Sequence, residues 1–317
     1  MQFSFRSLQY VVATADAGSV SGGAQRLNSS QPSVSAAIAQ IEADLGVALF
    51  VRHHARGMTT TAAGQRFVNE ARVLLNHARD FARNAGTLGS AVAGEITVGS
   101  FVTLATRFMP GLLTGFAEQA PGITVNLQEG NQQEILDGLT RGHLELALAY
   151  AYAVPDEVKA ERLTELPPYV LVSARHRLAE RGRIRLHEIS DDPFILLDLP
   201  ISRDYFLNLF LTCGVEPRIA YRSRSPELIR SLIGHNRGYT IHNALLGNGR
   251  GYEEDRVVAL QIADRVPPVH VVALSLRRQG MRPSVQSFAD FLVASFAPGG
   301  LFARGALAAG PLAPQGN

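Results

Sequence analysis

Apolar residues in the first 90 positions recur with helical spacing. Phe5, Leu8, Val11, Val12 and Ala15 share one face of a 3.6-residue repeat, and the run stops at Gly18. Ser21 to Leu27 predicts a short helix facing inward through Ala24 and Leu27, although Gly22-Gly23 is a poor helix former and leaves its stability to tertiary packing. Ser30 followed by Gln31-Pro32-Ser33 is a helix-start signal: the hydroxyl caps free N–H groups, and proline costs least in the first turn. The next helix buries Val34, Ile38, Ile41 and Leu45 and ends at Gly46. From about Thr61 to Leu88 one long helix is expected. Phe67, Leu74, Phe81 and Leu88 recur every seven residues, with Ala71, Ala78 and Ala85 between them, the pattern of a two-helix seam.

After Gly94 the period changes. Ile96 and Val98, then Ile123, Val125 and Leu127, then Leu144, Leu146 and Leu148 alternate with other residues as strands do. Phe108 to Glu118 and Glu134 to Arg141 are the intervening helices, and Tyr169–Ser173, Phe194–Asp198, Tyr239–His242 and His270–Leu276 are later strands. Alternation of strand and helix predicts parallel sheets with ligands outside their carboxyl ends. Pro167-Pro168 and Pro267-Pro268 bracket about 100 residues and mark crossovers between two lobes.

The second and third helices, joined by a tight turn, form a helix-turn-helix. Gln31, Ser33, Ser35 and Gln40 give the third helix a small polar face, short enough for a major groove and supplied with donors and acceptors for base edges. An ordinary three-helix core with a solvated face is the alternative. Leu49 to Gly57 follows at once and carries Arg52, His53, His54 and Arg56 before a glycine turn, a wing whose arginines would meet phosphates. Charge agrees mildly: residues 1–90 hold eight arginines and five acids within a chain of net charge +2.

These residues carry a family resemblance. Leu8-Gln9-Tyr10-Val11-Val12, Ala24-Gln25-Arg26-Leu27, Ser30-Gln31-Pro32-Ser33-Val34-Ser35, Ile41-Glu42, Leu45-Gly46, Leu49-Phe50 with Arg52, and Thr61-Ala62-Ala63-Gly64 resemble, in order, the N-terminal domain of LysR-type transcriptional regulators. The fold this implies is α + α/β. A winged helix-turn-helix (1–60) and a linker helix for dimerisation (61–90) precede an effector-binding domain (94–298) of two α/β lobes like a type 2 periplasmic binding protein. Lobe 1 would take about 94–166 and 268–298, lobe 2 about 167–267, and 299–317 would be a flexible tail. The resemblance implies double-stranded DNA, a small-molecule effector, RNA polymerase and further copies of the chain as partners, as homodimer or homotetramer. On this reading Ser30, Gln31, Pro32, Ser33, Ser35, Arg52, His53 and Arg56 face DNA. One departure stands out: the position after Ser35, commonly a base-reading arginine in the family, is Ala36.

Effector contacts are expected at strand ends. Ser100-Phe101-Val102-Thr103 offers hydroxyls beside a helix start, where free N–H groups favour anions. The resemblance places Ser100, Thr103, Asn131 and Ser202 in the effector site. Arg203 is a candidate bidentate carboxylate clamp, with a surface ion pair as the alternative, and His242 would face the cleft or serve structure. A small organic acid fits these groups.

Composition removes other classes. The 317 residues are 46% hydrophobic and 18% charged, enough for two cores. A single cysteine, Cys213, excludes a disulfide framework and a thiolate metal site. Neither a signal-peptide h-region nor an apolar run of 18 residues occurs, so a cytoplasmic protein without membrane contact is expected. Nucleophile elbow, phosphate loop and metal-binding spacings are missing, so neither catalysis nor a cofactor or metal is expected. A cytoplasmic ligand-binding protein without a transcriptional role is the rival reading.

Overall fold

The structure is a computed structural model and describes residues 3–53, 57–85, 93–244, 257–277 and 280–303. Three helices open the chain: α1 (Phe5–Ala17), α2 (Val20–Arg26) and α3 (Gln31–Leu45). Ser4 and Ser30 cap α1 and α3 by accepting from Ser7 N–H at 3.0 Å and Ser33 N–H at 3.3 Å. Gly18 and Gly46 end these helices in the left-handed conformation, at φ 63° and 68°. A hairpin of β1 (Phe50–His53) and β2 (Gly57–Thr60) follows. Val11, Val20, Val34, Ile38, Ile41, Leu49 and Phe50 form the core of this unit. Glu42 Oε1 accepts from Leu49 N–H at 2.7 Å and Phe50 N–H at 3.1 Å, so α3 and the hairpin are held in one orientation.

The long helix α4 (Ala62–Ala85) starts where predicted, and positions 86–88 of the predicted span lie outside the described residues. Its apolar residues divide. Ala71 and Leu75 bury against Leu8 of α1, whereas Leu74 and Phe81 are 49% and 75% exposed.

Among the described residues, the remaining chain forms two sheets. In the first lobe are β3 (Gly94–Phe101), α5 (Val102–Gln119), β4 (Ile123–Gly130), α6 (Gln132–Thr140), β5 (Leu146–Tyr150) and β6 (Val158–Leu166). In the second are β7 (Tyr169–Ser173), β8 (Arg183–Ile184), β9 (Phe194–Leu197), α7 (Ser202–Thr212), β10 (Ile219–Ser223), α8 (Pro226–Gly234), β11 (Thr240–His242) and β12 (Val257–Ile262). The chain returns to the first lobe as β13 (Val269–Leu276) and α9 (Pro283–Phe296). The first sheet has the order β4-β3-β5-β13-β6. The second joins β11-β7-β12-β8 to β10-β9 through a bridge between Phe194 and Tyr239.

Two expectations are corrected. The sheets are mixed, not parallel: β13 runs antiparallel to β5 and β6, and β7 antiparallel to β11 and β12. Among the described strands, the reversed one in each sheet is the strand by which the chain enters from the other lobe, beside Pro167-Pro168 or Pro267-Pro268. The tail also begins ordered. Phe302 packs its ring 5.0 Å from Phe108 and 5.2 Å from Phe296, and its N–H donates to Ser295 O at 2.7 Å.

Candidate functional site

The exposed end of α3 presents Ser30, Gln31, Pro32 and Ser33 to solvent, with Ser35 half-buried behind them. Arg52, on the adjacent strand β1, extends Nη2 to within 3.5 Å of Ser35 Oγ, so the wing and the helix offer one continuous surface. His53 is engaged across the hairpin, its Nε2 2.8 Å from Thr59 Oγ1. Arg56 and His54 lie outside the described residues. Sequence reasoning missed the clamp that sets the turn before α3. Arg6 donates to Leu27 O at 3.1 Å and Ser29 Oγ at 2.7 Å, and Tyr10 Oη lies 3.2 Å from Ser29 Oγ. Hydrogen bonds from Ser29 and Arg6 hold the Tyr10 phenol below its ordinary pKa.

A second site lies between the lobes. Thr103 and Phe101 at the start of α5 and Tyr150 and Tyr152 at the end of β5 face Leu197, Ser202, Phe206, His242 and Asn243 of the second lobe. The space between them is about 10 Å³, room for one water at most. Thr103 Oγ1 and Tyr150 Oη are 3.0 Å apart, and Tyr150, Tyr152 and Tyr205 form a ladder with ring centroids 5.4 Å apart at each step. Burial raises the pKa of all three phenols, that of Tyr205 to about 12, so they are neutral donors here. Burial pushes His242 the other way, down to about 4, with a hydrogen bond to the Ala244 backbone opposing weakly. Its ring is therefore neutral at pH 7, and its buried Nδ1 has no hydrogen-bond partner among the described residues.

Of the expected effector residues, Phe101, Thr103, Ser202 and His242 come together around this cavity. The others do not line it. Ser100 is fully buried, its Oγ 3.4 Å from Phe101 O. Val102 packs against the core. Asn131 caps α6, its Oδ1 accepting from Gln133 and Glu134 N–H. Arg203 turns outward to Asp198 and Asp204 at 3.3 and 3.4 Å, so the surface ion pair is realised instead of a clamp. Sequence reasoning missed Gln132, whose Nε2 donates to Tyr150 O and Tyr152 O at 2.8 and 3.0 Å. It also missed Arg107, half-buried on α5 near Tyr150 and Tyr169, where burial lowers its pKa against the pull of those phenols.

Among the described residues, no helix is long and apolar enough to cross a membrane, and no cluster of three or more metal-ligating side chains occurs.

Residues 5–65 match the family described as bacterial regulatory helix-turn-helix protein, lysR family, and residues 89–297 match the LysR substrate binding domain. The chain is 31% identical over 223 residues to the HTH-type transcriptional regulator TcbR of Pseudomonas sp. (strain P51), covering 68% of this chain and 74% of that one. Among solved structures it resembles HinK, a LysR family transcriptional regulator from Pseudomonas aeruginosa, with TM-score 0.62 and 32% identity over 94% of this chain and 100% of that one. It also resembles full-length CbnR complexed with its target DNA, with TM-score 0.55 and 26% identity over 91% and 98% of the two chains. With both halves matched, the chain belongs to the LysR family, as a transcriptional regulator with a helix-turn-helix and an effector-binding domain.

Proposed function

We propose that this regulator binds operator DNA through Ser30, Gln31, Pro32, Ser33 and Ser35 of α3 and Arg52, His53 and Arg56 of the wing. It responds to a small organic acid held between the lobes by Thr103, Ser202 and His242, with Phe101 and the tyrosine ladder as walls. Ser100, Val102 and Asn131 shape that site from behind, and Arg203 serves it only if its ion pairs break. Arg107, which lies near Tyr150 of the cavity wall, is a second candidate cation for the acid. Two copies pair along α4 through Leu74 and Phe81, apolar side chains left in solvent by the single chain. The protein acts in the cytoplasm, without catalysis, by changing how DNA is presented to RNA polymerase.

The observation that carries this reading is a cavity lined by hydroxyls of both lobes, Thr103 and Ser202. With room for one water, it must open to admit a ligand. An effector therefore acts by favouring one lobe arrangement over another. A thermal-shift screen of the full chain against small carboxylates tests it. A ligand at 100 times its dissociation constant adds about 2.7 kcal/mol, and the gain should vanish in the Thr103→Val and Ser202→Ala variants. A hit that survives both substitutions would place the effector elsewhere.

A further inference from the structure

The helix-turn-helix, the linker helix and the first lobe meet around a second cavity, of about 390 Å³. It is lined by Asp16 of α1, by Arg72, Asn76 and Arg79 of α4, and by His143 in the turn after α6. Two arginines face one carboxylate. Arg72 grips Asp16 with both terminal nitrogens, and His143 Nε2 lies 3.2 Å from Asp16 Oδ1. Arg79 donates to the neutral Asn76 Oδ1 at 2.9 Å and meets no carboxylate among the described residues. Among the described residues, the buried Arg72 Nε has no partner. Burial raises the Asp16 pKa, but the hydrogen bonds from His143 and Arg72 outweigh it and hold the carboxyl below its ordinary value. The pocket thus has more cationic and donor capacity than its own carboxylate uses.

We propose that this junction binds a small oxyanion, a carboxylate- or phosphate-bearing metabolite whose anionic group replaces the Asp16 carboxylate between Arg72 and His143. The planar guanidinium fork suits both groups equally, and the chain's own carboxylate marks the pose. A cavity of this size accommodates a small metabolite behind the anionic group. The site shares no lining residue with the cavity between the lobes. Its consequence is separate too. Asp16 belongs to α1, and its bond to His143 ties the helix-turn-helix to the first lobe. A ligand that takes Asp16's place frees α1 from that lobe, while α4 stays attached through a buried ion pair between its Asp80 and Arg282, the residue before α9.

Calorimetric titration of the full chain with sodium phosphate, and separately with sodium succinate, at fixed ionic strength tests this. The Arg52→Ala background removes an anion contact on the wing. Asp16→Asn removes the internal competitor and should tighten binding of at least one anion tenfold or more. Arg79→Gln, an exposed and structurally mild change, should weaken it at least tenfold. A response to phosphate alone assigns a phosphorylated ligand, and to succinate a carboxylate. If neither anion binds the folded Asp16→Asn protein, or if Arg79→Gln and Arg72→Gln bind as Asp16→Asn does, the site does not exist.

Discussion

Arg282, directly before α9, holds the Asp80 carboxylate of α4 in a buried ion pair, the two residues being 3% and 7% exposed. The same guanidinium reaches Glu145 Oε2 at 2.8 Å and Glu95 O at 2.8 Å, and Ser284 Oγ donates to Asp80 Oδ2 at 3.0 Å. Burial pulls the Arg282 pKa down, and Glu145 and Asp80 outweigh it and keep the guanidinium charged. Every strong donor in this knot is answered, which fixes the linker helix against the first lobe.

Removing one partner of a buried charge pair costs more than the pair contributes, because the survivor stays desolvated. Asp80→Ala is therefore expected to destabilise the protein by about 3 kcal/mol. Urea unfolding measures this, and a change below 0.5 kcal/mol would mean that Glu145 alone satisfies Arg282.

The buried imidazole of His242 gives the protein a pH dependence with a definite sign. Its folded pKa of about 4 lies below the ordinary 6.5, so between these values the unfolded chain binds a proton that the folded chain refuses. The stability tied to this ring is complete above pH 6.5 and is lost progressively as pH falls toward 4. The loss amounts to about 3 kcal/mol. Melting temperatures taken across that range should fall less steeply in His242→Gln than in the parent.

DNA contacts divide by kind. Gln31→Ala is expected to cost about 1–3 kcal/mol on the cognate operator and nearly nothing on random DNA. Arg52→Ala should weaken both alike and lower the slope of log affinity against log salt by about 1. Fluorescence anisotropy over a salt series separates the two outcomes; parental binding by both variants would remove this face from the interface.

Gly64 lies in the first turn of α4, its N–H donating to Thr61 Oγ1 at 2.8 Å. A Cβ there would sit 1.8 Å from Leu49 O, a backbone atom that cannot turn aside. Gly64→Ala should abolish DNA binding while leaving effector binding intact, with anisotropy and thermal shift as the two readouts.

Phe81 leaves three quarters of its surface in solvent. If α4 pairs with a second α4, Phe81→Glu buries a charge in the seam and should yield monomers in analytical ultracentrifugation at concentrations where the parent is dimeric.

The helices were legible because their signals are local. Ser30 and Gly46 bound α3 at both ends, and the stripe of Val34, Ile38 and Ile41 needed only 3.6-residue spacing. Strands set by distant partners were not. β6 reads Val-Lys-Ala-Glu-Arg-Leu-Thr-Glu-Leu, a charged edge with little alternation, and exists because β13 pairs along its whole length. The cleft was half legible: strand-end hydroxyls at Thr103 and Ser202 were found, while Gln132 and Arg107 looked like ordinary helix residues. At Arg203 the ion-pair alternative holds, because Asp198, five residues earlier, becomes its neighbour once α7 turns back on β9.

The two strands that carry the chain between lobes are themselves neighbours. Leu166, at the end of β6, pairs with Val269, at the start of β13. The second lobe is thus hung on two adjacent rails rather than on one tether. Such a mounting permits bending about the ribbon and resists free swivelling. Ligand entry would then be transmitted to α4 as a single angular displacement, with the knot around Arg282 as its output shaft.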